Sequence, residues 1–193
     1  RVLQADSKNL PALHVLGLIS ASETNFKEAA DSLGRAARIN PNDASIQYNL
    51  AKALADSGSD KEALAHHKRA VALAPNNPEA WLNYGKTASN LARHEDSLVC
   101  YSHALSLKPD YHEASWNKSL LLLLLGDFEN GFRLYESRWR SKRVSEIAGK
   151  RFFSKPAWLG VESLQDKTIL LYAEQGLGDF IQFCRYAKLV ADL

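Results

Sequence analysis

Residues 37–43 read ARINPND, and the phrase returns at a fixed step as VALAPNN over 71–77 and LSLKPDY over 105–111. At the heart of the three phrases stand Pro41, Pro75 and Pro109, spaced 34 residues apart. The same step links small residues. Gly17, Ala51, Gly85 and Ser119 form one column, Ala29, Ala63, Ser97 and Gly131 a second, and Ala36, Ala70 and Ala104 a third. Large residues keep the register between them: Leu16, Leu50 and Tyr84, then Leu33 and Tyr101. Self-similarity at such a period marks an array in which one supersecondary unit stacks on the next.

The physical content of the pattern is specific. A proline cannot continue a helix, so each one ends the second helix of a pair and turns the chain into the next pair. Two antiparallel helices approach closely only where facing residues are small, and the bulky columns fill the space beside them. Period and columns together resemble the tetratricopeptide repeat (TPR). That resemblance implies an all-α, right-handed superhelix of antiparallel helix pairs. It divides residues 1–141 into a partial repeat over 1–9 and repeats at about 10–43, 44–77, 78–111 and 112–141.

The sixth position of each repeat carries Val15, Asn49, Asn83 and Asn117. Helix interiors do not favour asparagine, so three in one column call for a reason. Along a groove lined by the first helices they form a ladder of amides, each offering a donor and an acceptor to the backbone of an extended peptide. Lys52 and Lys86, three residues further on, stand beside the ladder and suit a carboxylate or acidic side chains. The bland alternative is that the asparagines bond within the array and orient neighbouring helices. A chaperone-type carboxylate clamp is a further reading of Asn49, Asn83, Lys52 and Lys86, and it requires preference for a free C-terminus. The ladder also looks like that of O-linked N-acetylglucosamine transferases, which implies a protein acceptor in the groove.

The regularity fades over 112–141. The first helix, with an unbroken run from Leu120 to Leu125, is apolar all round, which predicts burial on more than one side by a further domain or a second protomer. No proline closes the second helix, and Arg138 takes the place of the usual alanine. From Arg138 to Lys155 seven lysines and arginines face the single acid Glu146, a solvated connector or an anion-facing patch. Phe152, Phe153 and Trp158 around Pro156 read as a connector pinned to a neighbour. Residues 142–166 are accordingly a linker.

Residues 169–182, ILLYAEQGLGDFIQ, change character. Thr168 to Ala173 suits a strand covered on both faces, Gly176 and Gly178 a tight loop, and Asp179 the cap of a following helix. Neither a triphosphate-binding P-loop nor a full dinucleotide fingerprint is present. The fragments YESRW, KPAWLG and AEQGLGDFIQFCRYA, set after the repeats, resemble bacterial TPR-linked glycosyltransferases of the GT-B type and heptosyltransferase-like enzymes. The resemblance implies that 167–193 open the N-terminal half of such an enzyme, a short βα fragment of a truncated Rossmann-like domain. It makes Asp179 the candidate general base and a nucleotide sugar the donor bound elsewhere in a full-length parent. This chain then binds no cofactor itself. Its role is to recruit an acceptor protein; the alternative is a non-catalytic TPR scaffold.

Composition bounds the remaining classes. The 193 residues are 46% hydrophobic and 24% charged, and the net charge of +2 is too small for a nucleic-acid binder. No apolar run approaches the roughly 20 residues of a membrane span. Cys100 and Cys184 match no disulfide framework or metal spacing and read as reduced thiols of a cytoplasmic protein. The six histidines show no ligand spacing beyond the adjacent His66–His67, whose helical positions diverge. The chain starts at Arg1 and contains no methionine, so it is expected to be a piece of a longer polypeptide, its βα tail frayed, packed on the last repeat or paired with another copy.

Overall fold

The computed structural model describes residues 2–140, 154–158, 160, 162–172, 181–182 and 184–192. It divides into two compact units, Arg1–Arg138 and Trp139–Leu193. In the first unit α1 (Val2–Ala5) precedes four helix pairs: α2 (Leu10–Ser22) with α3 (Phe26–Ile39), α4 (Ala44–Asp56) with α5 (Asp60–Leu73), α6 (Pro78–Asn90) with α7 (His94–Leu107), and α8 (His112–Leu124) with α9 (Phe128–Tyr135). This is the all-helical TPR superhelix that the 34-residue period predicts.

Local chemistry sets each boundary. Helices α3, α5 and α7 end two residues before Pro41, Pro75 and Pro109. Helices α2, α4 and α6 begin under a side-chain cap: Asn9 accepts from Ala12 N at 3.1 Å, Asp43 from Ser45 N at 2.9 Å and Asn77 from Glu79 N at 3.0 Å, whereas α8 follows Tyr111 without such a bond. Within each pair the turn closes on a left-handed residue, and that residue also recurs in register: Thr24 (φ 62°), Gly58 (85°), Ala92 (55°) and Gly126 (85°). The backbone N–H of the following residue then reaches back five positions, as in Ser59 to Leu54 O at 2.8 Å and Arg93 to Ala88 O at 2.8 Å.

The small columns lie where the helices of a pair meet. A Cβ added at Gly85 would stand 2.6 Å from Tyr101 Cε1, so the ring occupies the space a side chain would take. Two apolar clusters follow. Leu13, Leu33, Ile46 and Leu50 knit α2, α3 and α4; Leu82, Tyr101, Ala114 and Leu121 knit α6, α7 and α8. Between them the bulky column holds His67, 1% exposed and stacked on Tyr84 at 6.4 Å between ring centroids.

The array ends irregularly. Helix α9 stops after 8 residues and passes into a 3₁₀ turn, Glu136–Arg140. Arg138, in the alanine column, is buried; it meets Glu136 Oε1 at 2.7 Å and lies over the Tyr135 ring at 4.3 Å. The leucine run of α8 is not covered on every side: Leu120, Leu124 and Leu125 are 43%, 71% and 49% exposed.

The second unit departs from expectation. No strand forms over 168–172, where Leu170, Leu171 and Tyr172 are exposed. The reason is physical: a strand needs a partner for its backbone groups, and no described residue supplies a ladder. Residues 181–182 are helical, and a 3₁₀ turn, Cys184–Tyr186, is followed by α10 (Ala187–Ala191). Gly176, Gly178 and Asp179, with Phe152 and Phe153, lie outside the described residues. Trp158 donates to Glu162 O at 2.9 Å, a contact within its own turn.

Candidate functional site

The first helices α2, α4, α6 and α8 touch one another in succession, whereas the second helices make no comparable contact with each other. The array therefore curls with its first helices on the inner side, and side chains at their seams line that face.

Those seams are polar. Asn49 Nδ2 lies 3.0 Å from His14 Nε2, joining α4 to α2. Asn83 Nδ2 donates to Tyr48 Oη at 3.0 Å, joining α6 to α4, and Tyr48 donates onward to Glu79 Oε1 at 2.7 Å. Lys86 Nζ meets Glu113 Oε1 at 3.5 Å and ties α6 to α8. Asn117 has no such partner, because Leu82 stands where its siblings find His14 and Tyr48; its amide donates to Glu113 O at 2.7 Å within its own helix. Burial, and then the Glu79 carboxylate, raise the Tyr48 pKa well above the ordinary phenol value. Burial also pushes Tyr111 up to about 12, with Glu113 next in effect. Both phenols stay neutral hydrogen-bonding groups at physiological pH.

The amides are thus half used. Nδ2 of each asparagine is engaged inside the array, while Oδ1 of Asn49, Asn83 and Asn117 accepts nothing from a described residue and is not fully buried. Lys52 is exposed and forms no ion pair with a described residue, whereas Lys86 is already paired. Val15, at the head of the asparagine column, is 54% exposed. The structure adds His14, Tyr48, Glu79 and Glu113 to the face. Their signal lies in the same 34-residue register, one column before the asparagines and one four residues before them. Among the described residues no three His, Cys, Asp or Glu are placed to hold a metal ion, and no helix is long and apolar enough to cross a membrane. A surface hollow of about 500 Å³ lies elsewhere, at the α2–α3 turn between Thr24 and Glu28.

Helix pairs of this period, with small columns at the pair interface and polar seams between first helices, give this chain the tetratricopeptide-repeat fold. Models of the tetratricopeptide repeat match residues 44–87 and 78–111. The fold is similar to the crystal structure of MamA, with a TM-score of 0.69, 20% identity, and coverage of 76% of this chain and 85% of that one. It is similar to YrrB, described as a TPR protein with an unusual peptide-binding site, with a TM-score of 0.67, 21% identity and coverage of 76% and 77%. It also resembles the first TPR of Spaghetti (RPAP3) bound to the HSP90 peptide SRMEEVD, with a TM-score of 0.59, 22% identity and coverage of 63% and 96%. No curated protein matches the chain by sequence.

Proposed function

We propose that the inner face of the array binds an extended segment of a partner protein, whose backbone N–H groups donate to Asn49, Asn83 and Asn117. The observation that carries this reading is the set of three amide oxygens, one per repeat, in register, without a donor among the described residues and not fully buried. Backbone pairing of this kind is independent of peptide side chains. The peptide-binding descriptions of YrrB and of the RPAP3 domain support it as precedents on the same fold. Asn117 offers the cleanest test, because its amide bonds only within its own helix. Replacing it weakens binding of a groove peptide at an unchanged melting temperature.

The resemblance of YESRW, KPAWLG and AEQGLGDFIQFCRYA supports a second, finer reading. In it the array recruits an acceptor protein to a bacterial GT-B glycosyltransferase that uses a nucleotide sugar, with Asp179 as general base. Its competitor is a non-catalytic adaptor, in which the array binds and nothing is transferred. Asp179→Asn in the longest natural form of the protein, assayed for sugar transfer from a nucleotide sugar, separates the two. The transferase reading expects turnover to fall at least a hundredfold, the scale of a lost general base. Full turnover in that variant leaves Asp179 as a helix cap.

A further inference from the structure

The inner face changes character along its length, and the change specifies the partner more closely than the asparagines do. This step rests on the peptide-binding reading above. Three and four residues apart on a helix means one face, so His14, Val15 and Leu18 share a face of α2, and Asn117, Leu120 and Leu124 share a face of α8. In the 34-residue register Leu18, Lys52, Lys86 and Leu120 are one column. Its two ends are apolar and open, at 42% for Leu18 and 43% for Leu120, and Val15 and Leu124 widen them at 54% and 71%. Its centre is polar and close to charge balance. Lys86 pairs with Glu113, Glu79 accepts from Tyr48, and Asp56 follows the exposed Lys52 one helical turn later.

Exposed apolar side chains at both ends of a polar seam gain by burial, and the amide oxygens between them gain by accepting backbone hydrogen bonds. We infer that the groove selects an extended peptide with an apolar residue at each end and an uncharged polar stretch between. The separation follows from geometry. Three helix-to-helix steps of about 10 Å span about 30 Å, which an extended chain at about 3.3 Å per residue covers in about nine residues. A run of acidic residues gains little at a centre whose Lys86 is already paired with Glu113.

The test is selection of a random pentadecapeptide library displayed on phage against the purified protein, followed by anisotropy titration of the enriched peptides. The expected result is enrichment of apolar pairs eight to ten residues apart with uncharged polar residues between. Leu18→Glu and Leu120→Glu, both at exposed positions, should each lower affinity about tenfold with the circular dichroism and melting temperature unchanged. Enriched peptides that respond to Asn117→Ala but ignore both glutamates overturn the end-anchor inference and leave the peptide reading standing. Enrichment of acidic C-terminal sequences overturns it in favour of a carboxylate clamp. An absence of enrichment overturns both readings.

Discussion

His67 occupies the place in its repeat that Leu33 and Tyr101 hold in theirs, and it is as deeply buried as they are. Its Nδ1 has no hydrogen-bond partner, and burial, with His66 second, lowers its pKa to about 4. The sign of the consequence is fixed. As pH falls below the ordinary value of 6.5 the unfolded chain takes up the proton first, so folding loses free energy until the folded form also protonates near pH 4. Stability is full above pH 6.5 and declines by about 3 kcal/mol toward pH 4, the linkage value of a shift of this size. His67→Leu, which restores the residue type of Leu33, should flatten the melting temperature across that window. A slope unchanged from the parent protein would place the acid sensitivity elsewhere. The column itself is visible in the sequence, but its chemistry is not. Only the packing shows that this histidine is buried while its neighbour His66 reaches Gln47 Oε1 at 2.7 Å.

At the scale of elements, the turns inside each pair are built alike from unlike residues. Thr24, Gly58, Ala92 and Gly126 share a left-handed conformation, which costs a residue with a Cβ roughly 1–2 kcal/mol. Ala92→Gly should therefore raise stability by about 1 kcal/mol after the extra entropy of a glycine in the unfolded chain is set against it, as chemical denaturation would show. A loss of stability would mean that the turn is held by something other than its backbone angle. This column explains what a reading of residue types passes over, since its members share a dihedral angle and no side-chain class. The prolines were legible because their effect is covalent and the same in every repeat. The strand expected from Thr168 does not form over the described residues 168–172 for the opposite reason. An apolar run states that a segment suits a sheet, while a ladder needs a second strand that no described residue provides.

At the scale of the whole molecule, the array turns a periodic sequence into a periodic surface. The asparagine column was legible from spacing alone. That each amide spends a donor inside the array was not, because the partners of Asn49 and Asn83 lie 35 residues back, one position off the repeat. The donors of Asn49 and Asn83 thus tie neighbouring helices, and the proposed peptide contact concerns the amide oxygens alone. The measurement that tests this account most directly is a titration of one library-selected peptide into the parent protein, Asn117→Ala and Asn117→Asp, each with its melting temperature. The account expects Asn117→Ala to bind about fivefold more weakly, the worth of one net hydrogen bond, at an unchanged melting temperature, and Asn117→Asp, which keeps an acceptor oxygen, to recover much of the loss. Equal affinity for all three proteins would contradict it and leave the column with Asn49 and Asn83 as ties between helices and no contact with the peptide.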